Sequence, residues 1–171
     1  MFNIVIFGKP GSGKGTQANF LKEKYNLYHI STGDLFRKNI SNQTKLGIEA
    51  KYYLDNGDLV PDSVTIKMLE NEVLSNKEVD GYIFDGFPRT LNQAESLDAF
   101  LTSINLKINA TIALDVNEDE LITRLLDRGK VTNRSDAELF VTRSFNLNEV
   151  ASALTGLSHR WIIKSFLPSR P

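Results

Sequence analysis

Residues 2–16 read FNIVIFGKPGSGKGT, a mostly apolar run that leads directly into a glycine-rich loop. The run Phe2–Phe7 predicts a buried β-strand, and the spacing after the loop predicts a helix over Lys14–Tyr25. The residues expected on the buried face of this helix are Ala18, Leu21 and Tyr25. A strand, a glycine-rich loop and a helix in this order are typical of a phosphate cradle. The glycines let backbone N–H groups approach an anion, and the helix adds its positive N-terminus.

The rest of the chain alternates in the same way between short apolar runs and helical patterns. Further strands are predicted at Tyr28–Ile30, Tyr82–Phe84, Thr111–Val116 and Trp161–Leu167. Another helix is predicted over Asp62–Leu74. This alternation predicts an α/β fold, a doubly wound parallel sheet of about five strands with helices on both faces. Residues 31–59 predict an insertion of two or three small helices, with breaks at Gly33, Gly47 and Gly57.

The composition excludes several classes of protein. The chain has 171 residues, which fits one domain. It has no cysteine, which excludes a disulfide scaffold, Cys-ligated zinc and thiol catalysis, and its two histidines lie far apart in the sequence. The formal net charge of −1 does not fit a binder of nucleic acid or of a membrane surface. Since no apolar run is long enough for a signal peptide or a membrane span, a cytoplasmic protein is expected. A monomer is the default, because no exposed apolar stripe is evident in the sequence.

The glycine-rich loop departs at one position from the strict phosphate-loop pattern. Lys14 stands where a lysine adds a positive charge for the β and γ phosphates. The pattern then requires Ser or Thr, but Gly15 intervenes and Thr16 comes one place late. A flexible glycine turn is the alternative interpretation. The Asn-Lys-x-Asp guanine reader of GTPases is missing, since the nearest match, at Asn76, has no aspartate.

Three more segments follow predicted strands. They are Ser31–Arg37, Asp85–Thr90 with Gln93, and Arg124–Asp136. Because ligands of a doubly wound sheet bind outside the carboxyl ends of its strands, we expect these segments to meet near the glycine-rich loop. A single arginine there would be interpreted as a solvated surface charge, but several around one loop indicate several phosphate groups. The arginines in these segments are Arg37, Arg89, Arg124, Arg128 and Arg134.

Four motifs and one glutamine resemble those of adenylate kinase, a nucleoside monophosphate kinase. They are GKPGSGKGTQ (8–17), STGDLFR (31–37), LVPDSV (59–64) and DGFPRT (85–90), with Gln93. The resemblance covers about residues 1–136 and implies reversible, Mg²⁺-dependent phosphoryl transfer from ATP to AMP, giving two ADP. It also implies a single phosphate-loop kinase domain over 1–171, with an AMP-binding subdomain at 31–60 and a short lid at 128–136.

The resemblance implies roles for individual residues. ATP is expected to contact Gly11, Ser12, Gly13, Lys14, Gly15, Thr16, Arg124 and Arg128. AMP is expected to contact Thr32, Arg37, Asp58, Leu59, Val60, Gly86, Phe87, Pro88, Arg89, Gln93, Arg134 and Arg143. The residues implied in catalysis are Lys14, Arg89, Arg128, Arg134 and Arg143. Asp85 is expected to hold Mg²⁺ through water, with a cap of the following helix as its alternative role.

Thr32 and Gln93 are the residues expected to select the base. A glutamine amide can both donate to and accept from the Watson–Crick edge of adenine. An exposed helix residue is the alternative for Gln93. The similar UMP/CMP kinases typically have alanine where Thr32 stands, which favours AMP and leaves a UMP/CMP-type kinase as the alternative acceptor class.

The sequence departs from the family pattern after Asp136. Ala137 stands in place of a second acidic residue, and Arg143 follows Arg134 sooner than the helix arginine of the family does. The alternatives to an active adenylate kinase are a nucleotide-binding protein that has lost transfer, a chain whose altered end folds marginally, and a phosphate-loop ATPase. The active enzyme is favoured because the recognised residues through Asp136 are of the catalytic type.

Overall fold

The computed structural model describes residues 1–117 and 121–124. Its strands are β1 (Asn3–Gly8), β2 (Tyr28–Ser31), β3 (Tyr82–Asp85) and β4 (Ile108–Leu114). Its helices are α1 (Lys14–Tyr25), α2 (Thr32–Ser41), α3 (Lys45–Asp55), α4 (Asp62–Ser75) and α5 (Leu91–Ser103), and residues 121–124 are also helical. Within these described ranges, no helix is both long and apolar enough to cross a membrane.

The four strands form one parallel sheet in the order β2-β3-β1-β4. Every pairing between them is parallel, which confirms the predicted α/β fold. The register aligns the ends of neighbouring strands, because Asp85 at the end of β3 pairs with Ile6 of β1 and with Ser31 at the end of β2. The segments that follow β1, β2 and β3 therefore leave the sheet at one edge, where ligands of such sheets bind.

Both faces of the sheet are covered by helices. Val5 and Phe7 of β1 belong to a buried cluster with residues of α2, α4 and α5, whereas Ile4 and Ile6 pack with Ala18 of α1. Alternate side chains of a strand point to opposite faces, so β1 shows neither face to water. This burial explains why its sequence is an almost continuous apolar run.

Strand β4 begins and ends earlier than the predicted strand at 111–116. One of its first residues, Asn109, accepts a hydrogen bond of 2.9 Å from the backbone N–H of Asn3. The buried side chain of Asn3 donates to the carbonyl of Lys107 at 2.8 Å and accepts from the N–H of Tyr82 at 3.1 Å. Polar side chains therefore extend the strand beside an irregularity in register at Asn3, and an apolar pattern does not detect such an extension.

Helix α1 has the predicted bounds, but its predicted buried face is wrong in part. Ala18 is buried and Leu21 is half-buried against the same cluster, whereas Tyr25 is 51% exposed. Tyr25 is the last helical residue, and the chain turns away at Asn26, which has a left-handed φ of 52°. The end of the helix therefore projects from the core.

The insertion between β2 and α4 holds α2 and α3, within the predicted two or three helices. The predicted helix breaks at Gly33 and Gly47 are wrong, because both residues lie inside these helices. Gly57 follows α3, with a φ of 75°. Gly47 marks a close approach instead, because a Cβ added there would overlap the carbonyl group of Asn39 in α2. The two helices thus pack backbone against backbone at this point.

Candidate functional site

The loop between β1 and α1 has the backbone of an anion cradle. Gly11 and Gly13 have φ angles of 81° and 88°, in the left-handed region that glycine adopts without strain. Gly13 is also the N-cap of α1, and the first turn of α1 contains no acidic residue. The N–H groups and positive dipole at this helix end therefore face no carboxylate from their own turn, which favours binding of an external anion.

Two of the cations predicted to contact ATP lie at this loop. Lys14 Nζ donates hydrogen bonds to the carbonyl oxygens of Gly8, at 2.8 Å, and Lys9, at 3.0 Å. Arg124 reaches the loop from the helical residues 121–124, with its Nη1 at 3.5 Å from the carbonyl oxygen of Gly11. Positive charge at the loop therefore comes from Lys14, at the start of α1, and from Arg124, the last of the described residues.

The hydroxyl groups of the loop differ in their surroundings. Ser12 is buried, and its Oγ has no hydrogen-bond partner among the residues that the structure describes. It lies so close to Gly8 that a Cβ added at Gly8 would come within 2.5 Å of it. Thr16, in contrast, is exposed on the first turn of α1. Gly15, which occupies the position of the hydroxyl in the strict pattern, is exposed as well.

A cleft of about 450 Å³ is lined by α2, the end of α3 and the segment after it, the start of α4, the segment after β3 and the start of α5. The predicted AMP contacts that line it are Thr32, Asp58, Leu59, Val60, Gly86, Phe87, Arg89 and Gln93. The sequence does not predict the other lining residues, which are Gly33, Phe36, Leu54, Asp62, Thr65 and Thr90. The volume is in the range of small-molecule sites.

Arg89 is tied to two neighbours in the wall of the cleft. Its Nε donates to the carbonyl oxygen of Gly86 at 2.7 Å, and its Nη2 donates to Thr32 Oγ1 at 3.3 Å. The Thr32 hydroxyl also donates to the Gly86 carbonyl at 3.3 Å. The arginine predicted to bind phosphate and the threonine predicted to select the base are therefore in contact.

Arg37 and Pro88 are predicted AMP contacts that do not line the cleft. Arg37 pairs with Asp34, and its hydrogen bond and charge hold the pKa of that carboxyl below its usual value, although burial opposes this shift. The Arg37 guanidinium lies beside Gly33, which does line the cleft. Pro88 is buried and follows Phe87 through a cis peptide bond. Arg37 is thus next to the wall of the cleft, and Pro88 is buried beside Phe87, which lines it.

Gln93 is 7% exposed, so its alternative interpretation as an exposed helix residue is wrong. Its Oε1 accepts a hydrogen bond of 2.8 Å from the backbone N–H of Arg89, and its Nε2 donates one of 2.5 Å to Asp62 Oδ1. Asp62 lies 31 residues earlier in the chain. In the sequence, Asp62 was the first residue of a predicted helix and belonged to the LVPDSV motif, and neither signal reveals Gln93 as its partner.

Asp85 ends β3 and is 9% exposed. Its Oδ2 lies 3.3 Å from Nε2 of His29 in the neighbouring strand β2. The alternative role of Asp85 as a helix cap is wrong. The N-cap of α5 is Thr90, whose hydroxyl accepts a hydrogen bond of 3.1 Å from the N–H of Gln93. A capping side chain stands directly before the first turn, and Asp85 lies too far upstream.

The remaining predicted site residues lie outside the described part of the chain. They are Arg128, Arg134 and Arg143, together with the predicted lid at 128–136 and the predicted strand Trp161–Leu167. The AMP-binding subdomain at 31–60, the lid and the contacts of individual residues stay predictions. The described residues bring together a glycine-rich loop and a cleft at one edge of the sheet.

A glycine-rich loop that joins the first strand of a parallel sheet to a helix N-terminus defines a class of α/β proteins that bind nucleotide phosphates. A family model described as adenylate kinase matches residues 6–156 of this chain. The match continues beyond Asp136, where the recognised motifs end. The chain belongs to the adenylate kinase family.

Individual relatives are similar over most of their length. Adenylate kinase from Flavobacterium psychrophilum is 62% identical over 136 residues, covering 80% of this chain and 72% of the relative. The enzyme of that name from Flavobacterium johnsoniae is 53% identical over 159 residues, covering 91% of this chain and 84% of the relative. Adenylate kinase from Parabacteroides distasonis is 49% identical over 144 residues, covering 84% and 76%.

Proposed function

We propose that this chain catalyses the reversible transfer of the terminal phosphoryl group of ATP to AMP, giving two molecules of ADP. The observation that carries the proposal is the placement of the glycine-rich loop and the cleft at the ends of neighbouring strands. The glycine-rich loop follows β1, residues after β2 and β3 line the cleft, and β1 and β2 both pair with β3. Nucleotides bound in the two sites would present their phosphates to each other near the end of β3.

The proposed step needs no general base. An oxygen of the AMP phosphate, already ionised at neutral pH, attacks the γ-phosphorus of ATP. The new P–O bond forms as the bond from the γ-phosphorus to the β–γ bridging oxygen breaks, and the departing ADP keeps the electron pair. The obstacle is repulsion between two anions, so catalysis consists of positioning the reactants and neutralising their charge.

The proposed roles divide between the two sites. On the ATP side, Lys14 and the backbone N–H groups of residues 11–16 hold the phosphates, and Arg124 stacks on the adenine. On the AMP side, Arg37 and Arg89 hold the phosphate, because the planar guanidinium binds phosphate oxygens in pairs and stays charged. The arginines proposed to close over the transferring group are Arg128, Arg134 and Arg143.

Asp85 is the residue proposed to hold Mg²⁺, through water. A largely buried carboxylate at the end of β3 fits a cation that keeps most of its own waters and is shared with substrate phosphates. When bound, the ion neutralises part of the phosphate charge. Asp85 would orient the water molecules between itself and the ion.

The proposed partners are ATP, AMP and ADP, without nucleic acid or membrane, and the proposed state is a cytoplasmic monomer. The formal net charge of −1 supports the proposed absence of nucleic acid and membrane among the partners. For the acceptor, Thr32 in the wall of the cleft supports AMP over a UMP/CMP-type substrate, because the resemblance associates threonine at this position with AMP.

The test is ADP formation from ATP and AMP with Mg²⁺, with UMP and CMP in parallel and with AMP omitted as a control. We expect turnover that depends on AMP and does not occur with UMP. Turnover with UMP or CMP would support the alternative acceptor class, and ADP formation without AMP would mean an ATPase.

If the protein shows no turnover, nucleotide binding and thermal unfolding are measured next. Tight binding of two adenosines joined through phosphates, with no turnover, would identify a nucleotide-binding protein that has lost transfer. A missing cooperative thermal transition, with or without nucleotide, would identify a marginally folded chain. A sharp transition that nucleotides raise is the result expected of the proposed enzyme.

A further inference from the structure

Asp62 restricts the amide of Gln93 to one of its two orientations. Gln93 Nε2 donates to Asp62 Oδ1 at 2.5 Å, while Gln93 Oε1 accepts from the N–H of Arg89 at 2.8 Å. A carboxylate can only accept a hydrogen bond, and a backbone N–H can only donate one. Turning the amide by half a rotation would therefore place oxygen against oxygen on one side and N–H against N–H on the other.

Asp62 is itself held from a second direction. Its Oδ2 accepts hydrogen bonds from Thr90 Oγ1 at 3.0 Å and from Asn92 Nδ2 at 3.4 Å. The Thr90 hydroxyl already accepts from the N–H of Gln93, so its single proton is directed to Asp62. Asp62 also lies in the first turn of α4, where the helix dipole favours a negative charge. The carboxylate is therefore a fixed acceptor.

The two fixed contacts leave Gln93 with groups to spare. A glutamine amide has two N–H groups and two oxygen lone pairs, and each contact uses one. One donor and one acceptor remain on a side chain that lines the cleft. The Watson–Crick edge of a 6-aminopurine offers a donor at N6 and an acceptor at N1. A 6-oxopurine offers an acceptor at O6 and a donor at N1, so the two purine classes require opposite orientations of the amide.

We propose that Asp62 is a positioning residue that sets purine specificity, by keeping the Gln93 amide in the orientation that matches a 6-aminopurine. The inference rests on the proposed function, because AMP in the cleft places an adenine ring against Gln93. Asp62 does not contact the base in this scheme. Without Asp62, only the N–H of Arg89 opposes the half rotation, so the orientation that accepts a 6-oxopurine such as the base of IMP becomes easier to reach.

The test compares kcat/KM for AMP and IMP, at saturating ATP and Mg²⁺, in the full chain and in Asp62→Asn and Asp62→Ala. Losing one charge-assisted hydrogen bond corresponds to about a tenfold change in equilibrium, so we expect the AMP-to-IMP ratio to fall about tenfold in both variants. The KM for ATP should not change. Asp98→Asn is the matched control. It also replaces one aspartate by asparagine, but on α5 and at a residue that does not line the cleft.

A double-mutant cycle with Gln93→Leu separates positioning from a merely structural role. If Asp62 acts through Gln93, Asp62→Ala changes the ratio in the native background but not in the Gln93→Leu background. An equal change in both backgrounds would overturn the proposal. An unchanged ratio in Asp62→Asn, with a melting temperature like that of the native chain, would also overturn it.

The same discrimination can be measured without catalysis. The Kd values of AMP and IMP for the native chain and for Asp62→Asn report on the cleft alone. Loss of discrimination in binding, in a protein that makes no ADP from ATP and AMP, would contradict the proposed function and support the role of Asp62. Normal turnover of AMP, with discrimination between AMP and IMP retained in Asp62→Asn, would support the proposed function and contradict the role of Asp62.

Discussion

The phosphate loop and the cleft differ in how far apart along the chain their contacting residues lie. In the loop, Lys14 bonds to carbonyl oxygens that are five and six residues away. In the cleft, Gln93 meets Asp62 across 31 residues and Arg89 meets Thr32 across 57. Arg124, whose Nη1 lies 3.5 Å from the Gly11 carbonyl oxygen, is a distant addition to a loop whose own bonds are local. The backbone of such a loop depends less on helix packing than a cleft wall that is assembled from several segments. Substitutions should therefore affect the two sites separately.

The largest effect is expected from Lys14→Met. Losing one positive group that neutralises the transition state typically lowers turnover by about 10²–10³-fold. The Kd of AMP should not change, because Lys14 bonds to carbonyl oxygens of the loop and is not one of the residues that line the cleft. Steady-state turnover and AMP titration measure the two quantities. Lys22→Met, also on α1, is the control with native turnover, and an equal loss of AMP affinity in Lys14→Met would contradict the separation.

Gly47→Ala should damage the cleft and spare the loop. The added methyl group would overlap the carbonyl of Asn39, so α2 and α3 must move apart, at a cost of about 1–3 kcal/mol in the free energy of unfolding. Urea unfolding measures this cost, and the KM values should rise for AMP but not for ATP. Ile48→Ala, at an exposed neighbouring residue, should change stability by less than about 0.5 kcal/mol. Equal increases in both KM values would show that the sites are not separable.

Thr90→Ala tests the start of α5, which belongs to the cleft. Thr90 accepts from the N–H of Gln93 and donates to Asp62, so its loss removes the helix cap and loosens the Asp62 carboxylate. We expect the free energy of unfolding to fall by about 1 kcal/mol and the KM for AMP to rise. Thr102→Ala, on an exposed position of the same helix, should leave both unchanged. A stability loss without a change in KM would restrict Thr90 to capping.

The smallest predicted effect is on the stability of the chain at acidic pH. Burial raises the pKa of Glu72, but hydrogen bonds from Lys38 and Tyr28 outweigh burial and hold it below its usual value of 4.5. A lowered carboxyl pKa adds stability that is complete above the usual value and is lost as the pH falls through the folded-state value. Below about pH 4.5 the native chain should therefore lose stability more steeply than Glu72→Gln. Urea unfolding at several pH values measures this, with Glu70→Gln as the control, and parallel curves would refute the assignment.

The loop could be predicted almost completely from the sequence. Its function depends on a contiguous pattern, and the backbone angles that Gly11 and Gly13 adopt are those that only glycine adopts readily. The parallel sheet was also predictable, because a strand such as β1 that is covered on both faces has a nearly continuous apolar sequence. The start of β4 was not predictable, since hydrogen bonds from Asn3 to Asn109 and to the carbonyl of Lys107 replace the apolar signal there.

The cleft could be predicted only in part. Motif residues such as Thr32 and Arg89 carry a recognisable pattern, and both line it. Asp62 was visible as a helix start and as part of the LVPDSV motif, but not as a partner of Gln93. That contact depends on how α4 and α5 pack, and spacing along the chain does not encode that packing. A sequence pattern reveals local geometry and leaves contacts between distant segments to the folded structure.

The order of strands in the sheet has a consequence for synthesis of the chain. Within the described residues, β1 pairs with β3 and β4, and β2 pairs with β3. The ribosome makes β1 and β2 first, but neither strand has a partner until Tyr82, where β3 begins, has been added. A nascent chain therefore carries the sequence of the phosphate loop long before a sheet exists to hold it. Both the loop and the cleft therefore gain a paired strand beside them only after β3 has been added, although Gly8 is synthesised well before Thr32.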